Sequence, residues 1–551
     1  MKTSLRRASA LTCGALLLIC AAACSSDSSK SSTSTNASAS STPASSSAAS
    51  TQPSGPAGTT NDPSTSDGPS EGTPQRGGDL RIAYSTEPTS LDPSKGSSGN
   101  DYMSLYPLYD TLLTYTPELV PQPGLAKSWT WVDDTTLELT LNEGIRFTDG
   151  TPFDADAVKV NIEHYKSDTS NWKADLASVD SVEVVSADVV RFHLNTPDAA
   201  LLMMLADRAG MMMSPASLAA QGDDYQNPVG AGPFKLVEYK PGISISFTRN
   251  DDYWQNGLPY LDTISVQFMK DDQAKLNALK SGQVDFLPQL DSSAVEQLKG
   301  QDKLTVLTRN TISFDMCYIN KLDPPFNDVR VRQAINYATD RDALNLALNG
   351  ETGEVAWMPW PSDFWAYQAD LVPTYPYDPE KAKQLLADAG YPDGLTITGV
   401  VNPGLRQSLK NEVLQAQWAK VGIDLKLNVV EIPVASPAFF EKHDHNIYCS
   451  GASGRIDPSL ALQQLYGKDS YLNVGHADFP GLGDAIAATR AGATPEDRMP
   501  ALNAAAKIAT ESAMIAPLVF IPAVDAFGNN VHGFEQTLLN RSRMTDVWIS
   551  H

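Results

Sequence analysis

Residues 125–165 read LAKSWTWVDDTTLELTLNEGIRFTDGTPFDADAVKVNIEHY, and the pattern changes period twice within that stretch. Trp129, Trp131 and Val132 lead into the turn pair Asp133-Asp134. Thr136 to Leu141 then alternates polar and apolar, and a period of two places Leu137, Leu139 and Leu141 on one buried face. Asn142-Glu143-Gly144 turns the chain, Ile145-Arg146-Phe147 is a second short strand, and Asp149-Gly150 is a tight turn with Pro152 after it. Asp154 is placed to cap a helix, with Asp156 in its first turn where the helix dipole favours a carboxylate. Val158, Ile162 and Tyr165 give that helix an apolar stripe. The physics of the stretch is strand, turn, strand, turn, helix.

As an ordered string, A-x-S-W, a strand ending in Leu, then G-I-R-F-x-D-G-x-P-F-x-A-x-A resembles the signature of the family 5 extracellular solute-binding proteins. These are the oligopeptide-, dipeptide-, nickel- and glutathione-binding components of ABC importers. Asn142 departs from the Arg or Lys usual there, but it falls in a turn. The resemblance implies an α/β, two-lobed type II periplasmic-binding-protein fold, large and cluster C-like, with an extra subdomain on lobe I. It implies no enzyme and no cofactor or metal. The expected partners are a small-molecule or peptide ligand and the permease subunits of an ABC importer, with the receptor itself a monomer.

Composition agrees with a large secreted binder. A chain of 551 residues exceeds one ordinary core and implies at least two lobes. Its net charge of −24 argues against nucleic acid, which requires a basic footprint. At the N-terminus, Lys2, Arg6 and Arg7 precede an apolar run over residues 11–19, too short to span a bilayer, and Ala21-Ala22-Ala23 leads to Cys24. That arrangement resembles a bacterial lipobox, which makes residues 1–23 a lipoprotein signal peptide and Cys24 the lipidated residue on the extracytoplasmic face of the cell membrane. Residues 24–77 are almost wholly Ser, Thr, Ala, Pro, Gly and Asp, a composition that buries no core. A tether of roughly fifty such residues has an r.m.s. span of about 40 Å.

Further motifs extend the resemblance from about residue 78 to the C-terminus. The first strand, Leu80 to Tyr84, ends in a loop that reaches the ligand cleft in this family; Ser85, Thr86 and Glu87 are read either as ligand contacts or as a capped turn. Asn227-Pro228-Val229-Gly230-Ala231-Gly232-Pro233-Phe234 matches the family's N-P-V-G-T-G-P-Y/F element and returns the chain to lobe I. Phe326-Asn327-Asp328-Val329-Arg330-Val331-Arg332-Gln333-Ala334-Ile335 matches a helix start, and Asp378-Pro379 caps a later one. The expected division is lobe I over 78–310, with a subdomain inserted at about 122–225, lobe II over 311–520, and a return to lobe I over 521–551.

Two stretches carry the ligand expectation. The loop Val355-Ala356-Trp357-Met358-Pro359-Trp360-Pro361-Ser362-Asp363-Phe364-Trp365-Ala366-Tyr367 holds five aromatics broken by prolines. It suits either a wet cleft or satellite packing, and Trp357 and Trp360 are singled out. In Tyr448-Cys449-Ser450-Gly451-Ala452-Ser453-Gly454-Arg455-Ile456-Asp457-Pro458, the family's peptide binders place an Asp four residues before the Pro to grip the ligand α-ammonium. Here that position is Gly454. The stretch instead resembles the S-G-R-x-D-P variant of glutathione-type members, with Tyr448, Arg455 and Asp457 as candidate contacts. Arg455 offers a donor fork suited to a carboxylate, or else a structural pair with Asp457.

Enzymatic constellations are weak. His443, His445 and Cys449 fall short of a zinc set, and no H-E-x-x-H, G-x-S-x-G or phosphate loop occurs. A secreted hydrolase and a chaperone-like surface protein are the alternative classes. Outside the leader only Cys317 and Cys449 remain; a disulfide is open, and two unpaired buried thiols are the expectation.

Overall fold

The computed structural model describes residues 72–221, 226–350 and 352–550. The expected leader, Cys24 and the tether up to residue 71 lie outside the described residues. No helix among the described residues is long and apolar enough to cross a membrane.

The frame is a ten-stranded mixed sheet, in the order Ile423–Val429, Leu395–Val401, Ile447–Ala452, Leu304–Ile319, Ile515–Gly528, Phe286–Leu287, Asp79–Tyr84, Thr263–Phe268, Ser244–Arg249 and Phe234–Lys240. Leu304–Ile319 and Ile515–Gly528 are far longer than the others and pair antiparallel along most of their length. Their register breaks between Asn310 and Phe314, where Thr311 Oγ1 donates to the Ile521 carbonyl at 2.8 Å. On one side of that break the sheet carries the Asp79–Tyr84 and Thr263–Phe268 strands, on the other the Ile447–Ala452 and Leu395–Val401 strands. This is the two-lobed type II arrangement: one sheet continues through both lobes, and an irregular step joins its halves.

The period-two stretch forms as its pattern demands. Ala126–Asp133, Thr136–Leu141, Val189–Leu194 and Val179–Ser186 make a separate four-stranded sheet, in that order. Leu137, Leu139 and Leu141 are buried on one face, with Val190 and Phe192 beside them. The helix Ala155–Tyr165 is capped by Asp154, whose side chain accepts from the Ala157 N–H. Its stripe Val158, Ile162 and Tyr165 is fully buried, and Tyr165 donates to the Met211 carbonyl at 2.9 Å. Ile145 to Phe147 is not a full strand: only Arg146 bridges, to Pro152.

The return at Asn227 to Phe234 needs its glycines. A Cβ on Gly230 would lie 2.1 Å from the Leu108 carbonyl oxygen, and one on Gly232 2.4 Å from the Leu108 carbonyl carbon. Both are forbidden approaches, so the backbone can pass Leu108 only without side chains. At the far end of the chain, Val531, Met544, Val547 and Ile549 pack into the same core as Leu80, Ile82 and Phe247.

The expectation of two free thiols is corrected. Cys317 and Cys449 are disulfide-bonded, with Cα atoms 3.9 Å apart. They stand directly opposite one another in the ladder between Leu304–Ile319 and Ile447–Ala452, so both side chains leave the same face of the sheet. That face packs on Val331, Ile335, Leu414 and Trp418.

Candidate functional site

The strand Ile447–Ala452 ends against the irregular part of the long crossing strand. Gly454 sits so close to it that a Cβ would lie 2.0 Å from the Ile312 carbonyl oxygen. No side chain fits there, and the carboxylate of a peptide-amine grip is sterically excluded. The next residue, Arg455, is exposed. Its Nε donates to Gln464 Oε1 at 2.7 Å, while its terminal nitrogens carry no hydrogen bond or ion pair among the described residues.

Asp457 turns the other way. It caps the helix Pro458–Tyr466 and takes both terminal nitrogens of Arg498, at 2.8 and 2.6 Å. Burial works to raise its carboxyl, but the facing Arg498 charge and the bonds from Arg498 and Ser459 win and hold it below the ordinary carboxylate range. The pairing of Arg455 with Asp457, one of the two readings of this motif, is therefore replaced by Arg498 with Asp457.

Arg455 lines two adjoining cavities, of about 580 and 80 Å³. Asp175, Met204 and Leu460 line both with it. The smaller cavity is also lined by Trp172, Asp175, Asp207 and Arg208, and by Arg541 from the C-terminal stretch. Burial raises the Asp175 carboxyl; the Arg455 charge across the gap opposes this, Asp207 adds to it, and Arg490 opposes it.

Asp207 Oδ2 accepts from Arg541 Nη1 at 2.9 Å, but Oδ1 is buried with no partner. Arg208 is buried too, donating to Asp101 Oδ2 at 3.1 Å and to the Ser98 carbonyl at 2.6 Å. Its guanidinium lies over Tyr102 and Trp172, at 4.5 and 5.0 Å, and that of Arg541 also lies over Tyr102, at 4.1 Å. These stacks fix the planes of both guanidinium groups. At one edge of the larger cavity, Arg490 donates to Asp198 Oδ1 at 2.9 Å and its carbonyl accepts from the Ala199 N–H at 2.8 Å.

Of the residues singled out from sequence, the structure brings Arg455 alone into this cleft. Ser85 is bonded to Lys275, Thr86 to Asn100, and Glu87 accepts from Tyr239 Oη and the Gly242 N–H. Tyr448 donates to Asn402 within an aromatic group that includes Tyr318, Phe439 and Phe440. Trp357 lies under the Arg341 guanidinium at 4.7 Å. Trp360 is 1% exposed and packs with Ile312 and Phe364, its Nε1 without a partner. Asp175, Asp207, Arg208, Arg490 and Arg541 escaped the sequence reading. They sit in aperiodic loops or just after the wholly apolar helix Leu201–Ala206, where no spacing marks them.

A further cavity of about 330 Å³ lies beside Asp110, Tyr253, Trp254 and Arg543. Asp110 there already accepts from Tyr253 Oη at 2.9 Å and Trp254 Nε1 at 2.6 Å, so its carboxylate is spoken for. A Ser–His–Asp grouping also exists, but Ser94 Oγ at 3.0 Å and Asp92 Oδ2 at 3.6 Å meet the same His164 nitrogen, Nε2. A base needs one nitrogen for the nucleophile and the other for its orienting carboxylate, so this is not a catalytic relay. No group of three or more His, Cys, Asp or Glu able to hold a metal occurs among the described residues.

The profile of the family described as bacterial extracellular solute-binding proteins, family 5 Middle, matches residues 120–473. The glutathione-binding protein GsiB of Pectobacterium atrosepticum is 30% identical over 360 residues, covering 64% of this chain and 69% of that protein. The structure of HbpA2 from Haemophilus parasuis superposes with a TM-score of 0.78 at 24% identity, over 86% of this chain and 100% of that one. The A. tumefaciens R10 protein AgaA, solved in complex with agropinic acid, gives 0.71 at 26% identity over 86% and 99%. This chain belongs to the bacterial extracellular solute-binding proteins, family 5.

Proposed function

We propose that this protein captures a peptide-like solute bearing at least one carboxylate between its lobes and delivers it to the permease of an ABC importer. The observation that carries this reading is Arg455: a guanidinium with unbonded terminal nitrogens, facing a cleft whose far wall belongs to the other lobe. A charge-assisted pair in a cleft that closes over its ligand contributes about 1.5–3 kcal/mol. The similarity to a glutathione-binding relative, and to a protein solved with an organic acid, supports the same class. Asp457, Tyr448, Trp357 and Trp360 are left out of the contact set, because each is already engaged or packed elsewhere. Ser85, Thr86 and Glu87 stay at the edge of the proposal, on the loop beyond Tyr84. The lobes are taken to meet near residues 310–311 and 520–521, around the register break.

The test is mass spectrometry of the solute that co-purifies, followed by calorimetry. Arg455→Ala is expected to weaken binding about tenfold or more with little change in the melting temperature of the empty protein. Arg455→Lys recovers only part, because a point charge does not replace a planar fork. A neutral or cationic co-purified solute, bound equally well by Arg455→Ala, refutes the assignment.

The leader pattern supports a lipid anchor on Cys24 at the outer face of the cell membrane. Fractionation of cells expressing Cys24→Ala is expected to find the protein released or uncleaved; unchanged membrane retention of a processed form sinks the anchor.

A further inference from the structure

The lobe I wall of the cleft offers acceptors that the chain itself does not use. Asp207 is 9% exposed. One of its oxygens takes Arg541, and the other, Oδ1, is buried without a partner. Asp175 lines both cavities, and its carboxylate has no hydrogen bond or ion pair among the described residues. Buried carboxylate oxygens are ordinarily satisfied, because leaving one dry and unpaired is costly.

Apart from Arg455, whose free nitrogens the proposed function assigns to the ligand carboxylate, the nearby cations are committed elsewhere. Arg490 is bonded to Asp198, Arg208 to Asp101 and the Ser98 carbonyl, and Arg541 to the far oxygen of Asp207. No lysine lines either cavity. With Arg455 given to the ligand carboxylate, the donor for these oxygens comes from the ligand as well. It must be compact, cationic and rich in N–H, because the smaller cavity holds only about 80 Å³. A primary ammonium, with three donors on one atom, fits that description.

We propose that Asp175 and Asp207, on lobe I, hold the ammonium group of a zwitterionic solute whose carboxylate reaches Arg455 on lobe II. The ammonium site that Gly454 cannot supply is thus moved to the opposite wall, and the polarity of the cleft is fixed: amine on the subdomain side, carboxylate on the Arg455 side. The solute class is an amino acid derivative or short peptide with a free amine a few bonds from a carboxylate. A ligand whose two charges are claimed by different lobes binds well only when the lobes are together, so its charge separation couples binding to closure. The proposal rests on the reading of Arg455 as a ligand contact.

Isothermal titration of the full mature chain with reduced glutathione and with N-acetylglutathione tests it, in wild type, Asp175→Asn and Arg455→Ala. Acetylation is expected to weaken wild-type binding at least tenfold. Asp175→Asn is expected to weaken glutathione to a similar degree but N-acetylglutathione less than threefold, since the partner of Asp175 is already gone. A melting temperature of empty Asp175→Asn no lower than that of wild type shows that its fold is intact, and the acetylation arm needs no variant at all. Equal wild-type affinity for the two compounds, an Asp175→Asn that binds glutathione like wild type, or no binding of either compound at millimolar concentration overturns the proposal. Loss with Arg455→Ala but not with Asp175→Asn removes this inference alone; the reverse pattern removes the Arg455 reading.

Discussion

At the scale of single residues, Arg455 and Asp457 show how a two-residue spacing separates roles. The peptide turns at Ile456, which is buried, so one neighbour reaches the cleft and the other the interior. Asp457 and Arg498 form a buried bidentate pair, and removing one partner leaves the other charge uncompensated, at about 3–5 kcal/mol. The pH dependence follows from the sign of the shift. The folded-state carboxyl lies below its unfolded value, so its contribution is fully present above the unfolded pKa of about 3.9 and is lost as pH falls through the folded value. Asp457→Asn is expected to lower the melting temperature at pH 7 and to flatten the melting curve against pH below about 4. Equal slopes for the two proteins below pH 4 would show that this carboxylate is not a determinant of acid stability. Asp175 runs the other way. Its raised carboxyl means the folded protein holds the proton longer, so its part of the stability falls as pH rises above the ordinary carboxylate value.

At the scale of elements, legibility tracked periodicity. Thr136–Leu141 and Ala155–Tyr165 were readable because a strand with one wet face, and a helix with one, each write their geometry into alternating polarity. The caps at Asp154 and Asp378 were readable because a short acceptor before a helix has a local purpose. The disulfide was not. Cys317 and Cys449 are 132 residues apart, and the ladder that makes them neighbours has no local signature; only the register reveals that their side chains share a face. The far wall of the cleft was hidden for the same reason. Asp175 and Asp207 lie in loops whose backbone course is set by what they pack against, and a carboxylate in a polar loop looks the same whether it meets water or a ligand. Gly454 is the counter-example, a residue whose meaning came from a comparison of motifs and whose physical reason, the Ile312 carbonyl 2.0 Å from where a Cβ would be, came from the fold.

At the scale of the whole molecule, the two halves of the sheet are joined by two long strands and touch again across the cleft. Leu119 and Met203 pack in one cluster with Ile312, Trp360 and Leu538. At the rim, the Asp198–Arg490 ion pair at 2.9 Å and the Ala199 N–H to Arg490 carbonyl bond at 2.8 Å join the segment before the helix Leu201–Ala206 to the loop before the helix Pro495–Glu511. Asp198 is nearly buried while Arg490 is about a quarter exposed, so solvent screens the pair in part and its contribution is about 1 kcal/mol. On the proposed division into lobes these bonds cross from one lobe to the other, and we infer that they bias the empty protein toward closure. A ligand that selects the closed form has its apparent affinity scaled by the closed fraction. Asp198→Ala is therefore expected to weaken solute binding up to about fivefold, 1.4 kcal/mol being a tenfold change. In the empty protein it should increase the radius of gyration in small-angle X-ray scattering, while saturating solute restores the wild-type profile. An unchanged scattering curve in the empty variant, together with unchanged affinity, would place the control of closure in the crossing strands, whose register break at Asn310 to Phe314 is the other feature able to set the angle between the lobes.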